Sequence, residues 1–308
     1  MKKILILISL LFLVLCASAQ QDLMLSQQFF SRINKNPAGI GNIADIDIFM
    51  LGRYQWCNMK DSPKSGVLNA QTFKDDLHSG FGVSMSYDNL GVAKSMFNPK
   101  LVYAYQLNLS DEMVVSLGLS AGVQYGYFNG AEYILEDPTE AYVDGDFPLD
   151  KQTKISPDFD FGFEFITPRI LAGASVTHLQ EGEATTLKSS RHFYVYGRYI
   201  FTINDKWDLA PMVTWMNKEK VNVAELNVTG FFNRMFWGGL TYHPDLIDGL
   251  GTNPVALSAG LEFQNFRIGY TFDYNFGKVA KYSGQAHEIY LSYSLRNKNT
   301  APTYERFE

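Results

Sequence analysis

Apolar and polar side chains alternate along most of the chain between residues 45 and 295. In the segment 158–165, for example, phenylalanine occupies every second position, and aspartate, glycine and glutamate lie between. A period of two is the pattern of a β-strand with one apolar face. Segments of this kind predict about fourteen strands, and therefore an all-β fold.

The predicted strands follow one another along the chain. They lie near residues 45–57, 66–74, 81–88, 97–109, 115–127, 158–165, 169–178, 191–203, 206–216, 221–232, 235–243, 253–263, 266–274 and 289–295. The longer ones have roughly the ten or so residues that a tilted strand needs to cross a bilayer. The alternation is least regular in the tenth strand, around Glu225 to Phe231.

The connections between these strands alternate in length. Short connections are predicted at Ser110-Asp111, Thr167-Pro168, Asn204-Asp205, Asn233-Arg234, Gln264-Asn265 and 74–79. Long loops are predicted at 58–65, 89–96, 128–156, 179–190, 217–220, 244–252 and 277–285. Outer-membrane barrels have this arrangement, with short periplasmic turns, longer extracellular loops and both chain ends on the periplasmic side. The sequence therefore predicts a transmembrane, antiparallel, up-and-down β-barrel.

A soluble β-sandwich is the competing interpretation, because its strands also alternate. Such a fold would leave long edge strands that need protection. In a bilayer every backbone polar group must be paired within the protein, which requires a closed sheet. The strand lengths and the alternating connections favour the barrel, whose outward apolar face contacts outer-membrane lipid.

The N-terminus has the form of a secretory signal. Lys2 and Lys3 precede the apolar run 4–15, and small residues follow at 17–19. We therefore expect residues 1–19 to be a cleaved signal peptide of an outer-membrane protein. Three further parts are predicted: a periplasmic leader or plug segment, the barrel and a periplasmic C-terminal tail, at residues 20–44, 45–295 and 296–308.

Charge and cysteine content exclude some alternatives. Without the two lysines of the signal, 24 basic residues remain against 32 acidic ones, a formal charge of −8. That balance argues against nucleic acid as a partner. Cys57 is the one cysteine that follows the signal, so an internal disulfide is not expected.

Little in the sequence indicates catalysis. The five histidines are scattered, and no pair has the spacing of metal ligands; they are His78, His178, His192, His243 and His287. We therefore predict no catalytic, cofactor-binding or metal-binding residues, no cofactor, and a protein that is not an enzyme.

The longest predicted loop, 128–156, is acidic. Its Asp144-Gly145-Asp146 run offers oxygen ligands of the kind that Ca²⁺ prefers. The downstream ligands of a calcium-binding loop are missing, however. Calcium binding and a simple solvated surface loop both remain open interpretations.

Two further groups of residues follow from the barrel geometry. Charged side chains on the inward faces are expected to line a pore or to pair and close it; they are Glu164, Arg198, Glu262, Arg267 and Asp273. A barrel of this size needs filling, and segment 20–44 is the expected filler. Aromatic residues at strand ends are expected to form interfacial girdles; they are Tyr54, Trp56, Phe73, Trp207, Trp215 and Trp237.

Several short motifs, taken in order, resemble the PorP/SprF family of the type IX secretion and gliding-motility system. The first are Gln27-Gln28-Phe29-Phe30, Asn36-Pro37-Ala38-Gly39, and Arg53, Gln55 and Trp56 with Pro63 beyond. Others are Gly80-Phe81-Gly82, Tyr87 to Gly91, Tyr103-Ala104-Tyr105, Leu117-Gly118-Leu119, His287-Glu288-Ile289 and Arg306-Phe307. The stretch 304–308 departs from the Cys-Pro-Arg-Phe-like tail that family members often carry.

The resemblance implies a non-enzymatic outer-membrane component of type IX secretion or gliding motility. Such a protein would help to export or anchor a cell-surface protein or adhesin that carries a type-B C-terminal sorting domain. It would also contact periplasmic secretion or gliding components. The alternative is an outer-membrane pore or transporter for small or hydrophobic solutes.

Overall fold

The structure, a computed structural model, describes residues 25–26, 30, 32–41, 46–91, 93–132, 150–180, 190–218, 221–244, 255–276 and 280–295. The predicted signal peptide, the C-terminal tail and the Asp144-Gly145-Asp146 run lie outside the described residues. The strands are β1 Ile46–Tyr54, β2 Lys64–Lys74, β3 Ser79–Asn89, β4 Lys94–Ser110, β5 Met113–Asn129, β6 Lys151–Ile166, β7 Ile170–Thr177, β8 His192–Tyr199, β9 Phe201–Asn204, β10 Trp207–Lys218, β11 Val221–Phe232, β12 Phe236–Tyr242, β13 Val255–Phe263, β14 Phe266–Tyr274 and β15 Ala286–Leu295.

Short helical turns accompany the strands. Among the described residues, three are 3-10 turns, Pro37–Gly39, Asp75–Leu77 and Gly130–Glu132, and one is a short α-helix, α1, Ala280–Ser283. In the part of the chain that the structure describes, no helix has both the length and the apolar character needed to cross a membrane.

The strands form one closed antiparallel sheet. Each pairs with its neighbours in sequence, except that β8 and β9 both pair with β10. β1 pairs with β15 from Ile46↔Leu295 to Tyr54↔His287, which closes the sheet. β8 and β9 are two halves of one strand facing β10, because Met212 pairs with Arg198 and Leu209 with Phe201. Pro211 lies between these pairs and has no N–H to donate, which accounts for the interruption. The barrel therefore has fourteen strands, as predicted.

The short connections lie together at one end of the barrel. They join β2 to β3, β4 to β5, β6 to β7, β9 to β10, β11 to β12 and β13 to β14. Asn233 and Arg234 both adopt positive φ, at 49° and 55°, as tight hairpin turns between twisted strands require. β1 begins and β15 ends at this same turn end, and the long connections lie at the opposite, loop end.

The outward face of the barrel is apolar. Burial alternates residue by residue in β6, where the phenylalanines face outward and the aspartates inward. Leu119 in the middle of β5 is 55% exposed, and many other large apolar side chains are exposed in the same way. A continuous apolar belt on a closed sheet fits a bilayer, whose apolar band on such barrels is roughly 25 Å tall.

One member of the expected aromatic girdle was placed wrongly. Trp237 is only 5% exposed and lies inside the barrel, against Phe30 and Tyr290. Its position in β12 is inward because Phe236 occupies the outward position beside it. Tyr54, Trp56, Trp207 and Trp215 are exposed, and Phe73 is partly buried.

The strands differ greatly in length at the loop end. β4, β5 and β6 have 17, 17 and 16 residues, whereas β7 has 8. β6 pairs with β7 only from Phe161 to Ile166. The loop-end parts of β4, β5 and β6, which we call the projecting wall, therefore extend beyond the end of β7, and β3 pairs with β4 as far as Ser95.

Charge placed in the apolar belt should prevent stable insertion. We expect Leu119→Arg to destabilise the folded barrel by about 2–4 kcal/mol, the usual penalty near the bilayer midplane. Thr153→Arg, an outward substitution in the projecting wall, should have little effect. Unfolding midpoints in phospholipid vesicles, followed by the heat-dependent shift in electrophoretic mobility, measure both. Equal midpoints would contradict the assignment of this face to lipid.

Candidate functional site: the lumen segment and its cradle

The described residues before β1 lie inside the barrel. We call residues 25–26, 30 and 32–41 the lumen segment. Asn36, Ala38 and Ile40 in it are fully buried. The segment therefore fills lumen space that would otherwise hold water.

Glycines in the wall let the backbone of the lumen segment approach closely. A Cβ atom on Gly118 of β5 would overlap the backbone of Pro37 and Ala38. One on Gly162 of β6 would overlap the side chain of Asn36. Only glycine leaves this space, so these positions form a cradle for the segment.

Asn36 connects the lumen segment to two strands. Its Oδ1 accepts a hydrogen bond from the N–H of Ala38 at 2.9 Å and so caps the 3-10 turn that follows. Its Nδ2 donates to the carbonyl of Phe163 at 3.0 Å and to the hydroxyl of Tyr196 at 2.9 Å. The Asn-Pro-Ala-Gly motif thus has a structural reason: a capped turn that fits the glycine cradle.

Arg32 and Glu164 form a buried ion pair near the turn end of the lumen. Arg32 Nε lies 2.8 Å from Glu164 Oε1, and Nη2 lies 3.1 Å from Oε2. Tyr196 also donates its hydroxyl proton to Glu164. Burial alone would lower the pKa of Arg32, but the interactions with Glu164 and Tyr196 together outweigh burial and raise that pKa. A bidentate pair of this kind joins the segment firmly to β6.

A second charged group holds the other end of the segment, near the loop end of the barrel. Ser26 donates its hydroxyl proton to Asp273 at 2.8 Å and its backbone N–H to Glu288 at 3.1 Å. Arg53 bridges the same two carboxylates, at 2.5 Å from Asp273 and 3.1 Å from Glu288. The lumen segment is therefore tied to β14 and β15 as well as to β6.

An apolar contact lies between the two charged groups. The ring of Phe30 lies 4.8 Å from that of Trp237 and 5.3 Å from that of Tyr290, centroid to centroid. The guanidinium of Arg267 stacks 4.7 Å from the Phe30 ring and pairs with Glu262 at 2.7 Å. Such ring and cation contacts each add to the stability of the docked segment.

A polar cluster lies on the inner face of the wall near the loop end. Lys100 Nζ lies 2.9 Å from Asp158 and 2.7 Å from Asp160. His178 Nδ1 lies 2.9 Å from Asp158. Asp158, Asp160 and His178 present ligand atoms within 4.8 Å of one another, so they could hold a cation. The ammonium of Lys100 already lies between the two carboxylates, which accounts for the cluster without a metal ion.

Two small cavities adjoin the lumen segment. One of about 10 Å³ is lined by Phe30, Arg32 and Phe49, among others. The other, of about 30 Å³, lies between Ile33 and the Lys100 cluster. These volumes suit one or two ordered waters rather than a solute.

The structure brings most of the predicted lumen charges into pairs. Glu164, Asp273, Glu262 and Arg267 have the partners given above, and Arg198 is buried on β8, two residues beyond Tyr196. Of the motif residues, Arg53 lies in the Ser26 group, the N–H of Gln55 donates to the carbonyl of Pro63, and Trp56 has φ of 57°.

Sequence reasoning missed several partners in these groups. They are Ser26, Phe30, Arg32, Lys100, Tyr196 and Glu288. Neither Arg32 nor Lys100 has an acidic residue within five positions along the chain, which was a usable signal for partners distant in sequence. The sequence shows His178 and His192 only as two of five scattered histidines, but their ring centroids lie 5.6 Å apart.

Together these features define an outer-membrane β-barrel with a lumen occupied by its own N-terminal segment. Residues 17–293 match the family described as Type IX secretion system membrane protein PorP/SprF. The chain belongs to this family, as its motifs indicated. No curated protein matches the chain.

Solved outer-membrane barrels have the same fold. The CymD monoaromatic hydrocarbon channel is similar with a TM-score of 0.55 at 12% identity, covering 89% of this chain and 94% of that one. A TodX monoaromatic hydrocarbon channel mutant has 0.54 at 9%, covering 92% and 97%. The toluene transporter TbuX of Ralstonia pickettii has 0.51 at 10%, covering 85% and 91%. At this identity the likeness concerns the fold alone.

Proposed function

We propose that this protein is a non-enzymatic outer-membrane component that helps to export or anchor a cell-surface protein with a type-B C-terminal sorting domain. Membership of the type IX secretion family supports this role most directly. The barrel would act as a docking platform, with its long loops toward the surface protein and its turn end toward periplasmic secretion or gliding components.

The occupied lumen supports a platform rather than a channel. Arg32, Asn36 and Ser26 each bond to the wall at buried positions. Opening a path for a solute would require breaking buried ion pairs and hydrogen bonds. Because the described residues of the lumen segment are enclosed, we propose that periplasmic components contact the short turns and residues 296–308.

Deleting the gene tests this proposal. We expect one or a few surface proteins with a C-terminal sorting domain to disappear from the set labelled by a membrane-impermeant biotin reagent. The same proteins should accumulate inside the cell or in the medium, and the wild-type gene should restore their display. Unchanged surface labelling would contradict the role.

The alternative, a pore for small or hydrophobic solutes, is compatible with a fold that it has in common with hydrocarbon channels. Conductance in planar bilayers separates the two functions. We expect the wild-type barrel to conduct little, because the lumen segment occupies the passage. A steady, large conductance of the wild-type protein would favour the pore.

A further inference from the structure

At the loop end of β6, the described part of the chain provides no neighbouring strand on the side away from β5. β6 pairs with β5 along its whole length, from Lys151 to Ile166. Its pairing with β7 stops at Phe161, and one more bond joins the N–H of Leu179 to the carbonyl of Phe159 at 2.9 Å. Among the residues that the structure describes, none pairs on that side with Lys151, Thr153, Ile155 or Pro157. We call these four positions the β6 edge.

The bond at Phe159 fixes which backbone groups point toward the β6 edge. Peptide groups alternate in direction along a strand, so Ile155, Thr153 and Lys151 present both N–H and C=O there. Pro157 faces the same way and has no N–H. Proline is tolerated within a sheet where no ladder partner needs its N–H. Its position is therefore consistent with an edge that the barrel itself leaves open.

The side chains beside these groups point outward on the projecting wall. Ile155 is 69% exposed, and in the pairing register it lies next to Tyr125, which lies next to Phe97. Lys151 is also exposed and ends the strand. The β6 edge thus offers a row of free hydrogen-bonding groups flanked by an apolar side chain at one point and a cation at another.

We propose that the β6 edge binds an extended segment of the exported surface protein, which adds to the sheet as a further strand. This inference rests on the proposed function, which supplies the partner. A row of alternating N–H and C=O groups fits an extended backbone, which is the basis of strand addition in peptide recognition. The added strand carries an apolar residue beside Ile155 and an acidic residue near Lys151.

The chemistry of the edge distinguishes this occupant from lipid. Acyl chains have no groups that satisfy backbone donors, so lipid would leave the edge unpaired. Proteins usually guard open edges with lysine or proline. Here Lys151 and Pro157 flank the edge at its two ends, and Thr153 and Ile155 between them remain open to a strand.

Proline substitution tests the edge without disturbing the β5 ladder. The probe is the surface protein whose display is lost on gene deletion, purified and titrated against the detergent-solubilised barrel. We expect Thr153→Pro with Ile155→Pro to weaken binding at least ~10-fold, because two hydrogen bonds, each a few-fold in affinity, are lost. Thr153→Val with Ile155→Val keeps both N–H groups and should bind as the wild type.

A matched control lies at the opposite end of the barrel. The N–H of Ile200 bonds to the carbonyl of Arg169, so Thr202, two residues on, faces an open edge at the turn end. Thr202→Pro should leave binding unchanged. The heat-dependent mobility shift confirms that every variant is folded.

The outcomes separate the two proposals. If the double proline variant binds as tightly as the wild type, the β6 edge is not the binding site, and the proposed function is unaffected. Equal loss of binding in Thr202→Pro would also overturn it, because the effect would then not depend on the β6 edge. If gene deletion removes no surface protein, both proposals fail.

Discussion

Replacing Glu164 with alanine is expected to release the lumen segment and open the barrel to ions. The substitution leaves the guanidinium of Arg32 buried without its bidentate partner and removes the acceptor of the Tyr196 hydroxyl. Breaking a buried pair in this way costs about 3–5 kcal/mol. We expect a lower unfolding midpoint in detergent together with increased conductance in planar bilayers.

Glu225→Ala provides the matched control. Glu225 is also a buried inward carboxylate, but it pairs at 3.1 Å with His243, which directly follows β12, rather than with the lumen segment. It should lower the midpoint with little change in conductance. If Glu164→Ala conducts no more than Glu225→Ala, the Arg32–Glu164 pair does not hold the lumen closed.

Replacing Gly118 with alanine should displace the lumen segment by steric overlap alone. The added methyl group meets the backbone of Pro37 and Ala38, which cannot rotate away as a flexible side chain would. Overpacking of this kind typically costs about 1–3 kcal/mol. Asn34→Cys in a Cys57→Ser background places a thiol in the lumen segment. This thiol should react much faster with a polar maleimide when Gly118→Ala is present than when Gly118 is kept.

Gly52→Ala is the control, because it makes the same substitution within a strand but without steric overlap. A Cβ on Gly52 of β1 has no neighbour within 4 Å. Alanine there should be neutral or slightly stabilising, since glycine within a strand is unfavourable by roughly 0.5–1 kcal/mol. Equal maleimide reactivity of the two variants would show that close approach at Gly118 does not position the segment.

The sequence predicted the barrel well because its main signals are local. The period of two in β6 is visible within a few consecutive residues, and so are the turn residues Asn233 and Arg234. Strand ends were predicted less accurately. β4 begins at Lys94 rather than near residue 97, because Pro99 and polar residues obscure the alternation there.

The lumen contacts were much harder to predict. Trp237 looked like an interfacial aromatic, since nothing in its own strand indicates that Phe30 lies beside it. Glu164 was recognised as an inward charge, but its partner Arg32 is 132 residues away. Pairing between residues so far apart in the chain depends on barrel closure. A single sequence indicates closure only through the number and order of its predicted strands.

The contacts of Ser26 set a condition on assembly. Its partners Glu288 and Asp273 lie 262 and 247 residues later in the chain. Residues synthesised first therefore wait for the last two strands before their bonds can form, and contacts of such separation are slow to establish. Because β15 also closes the sheet against β1, the segment cannot complete its contacts before the strand that seals the barrel is in place.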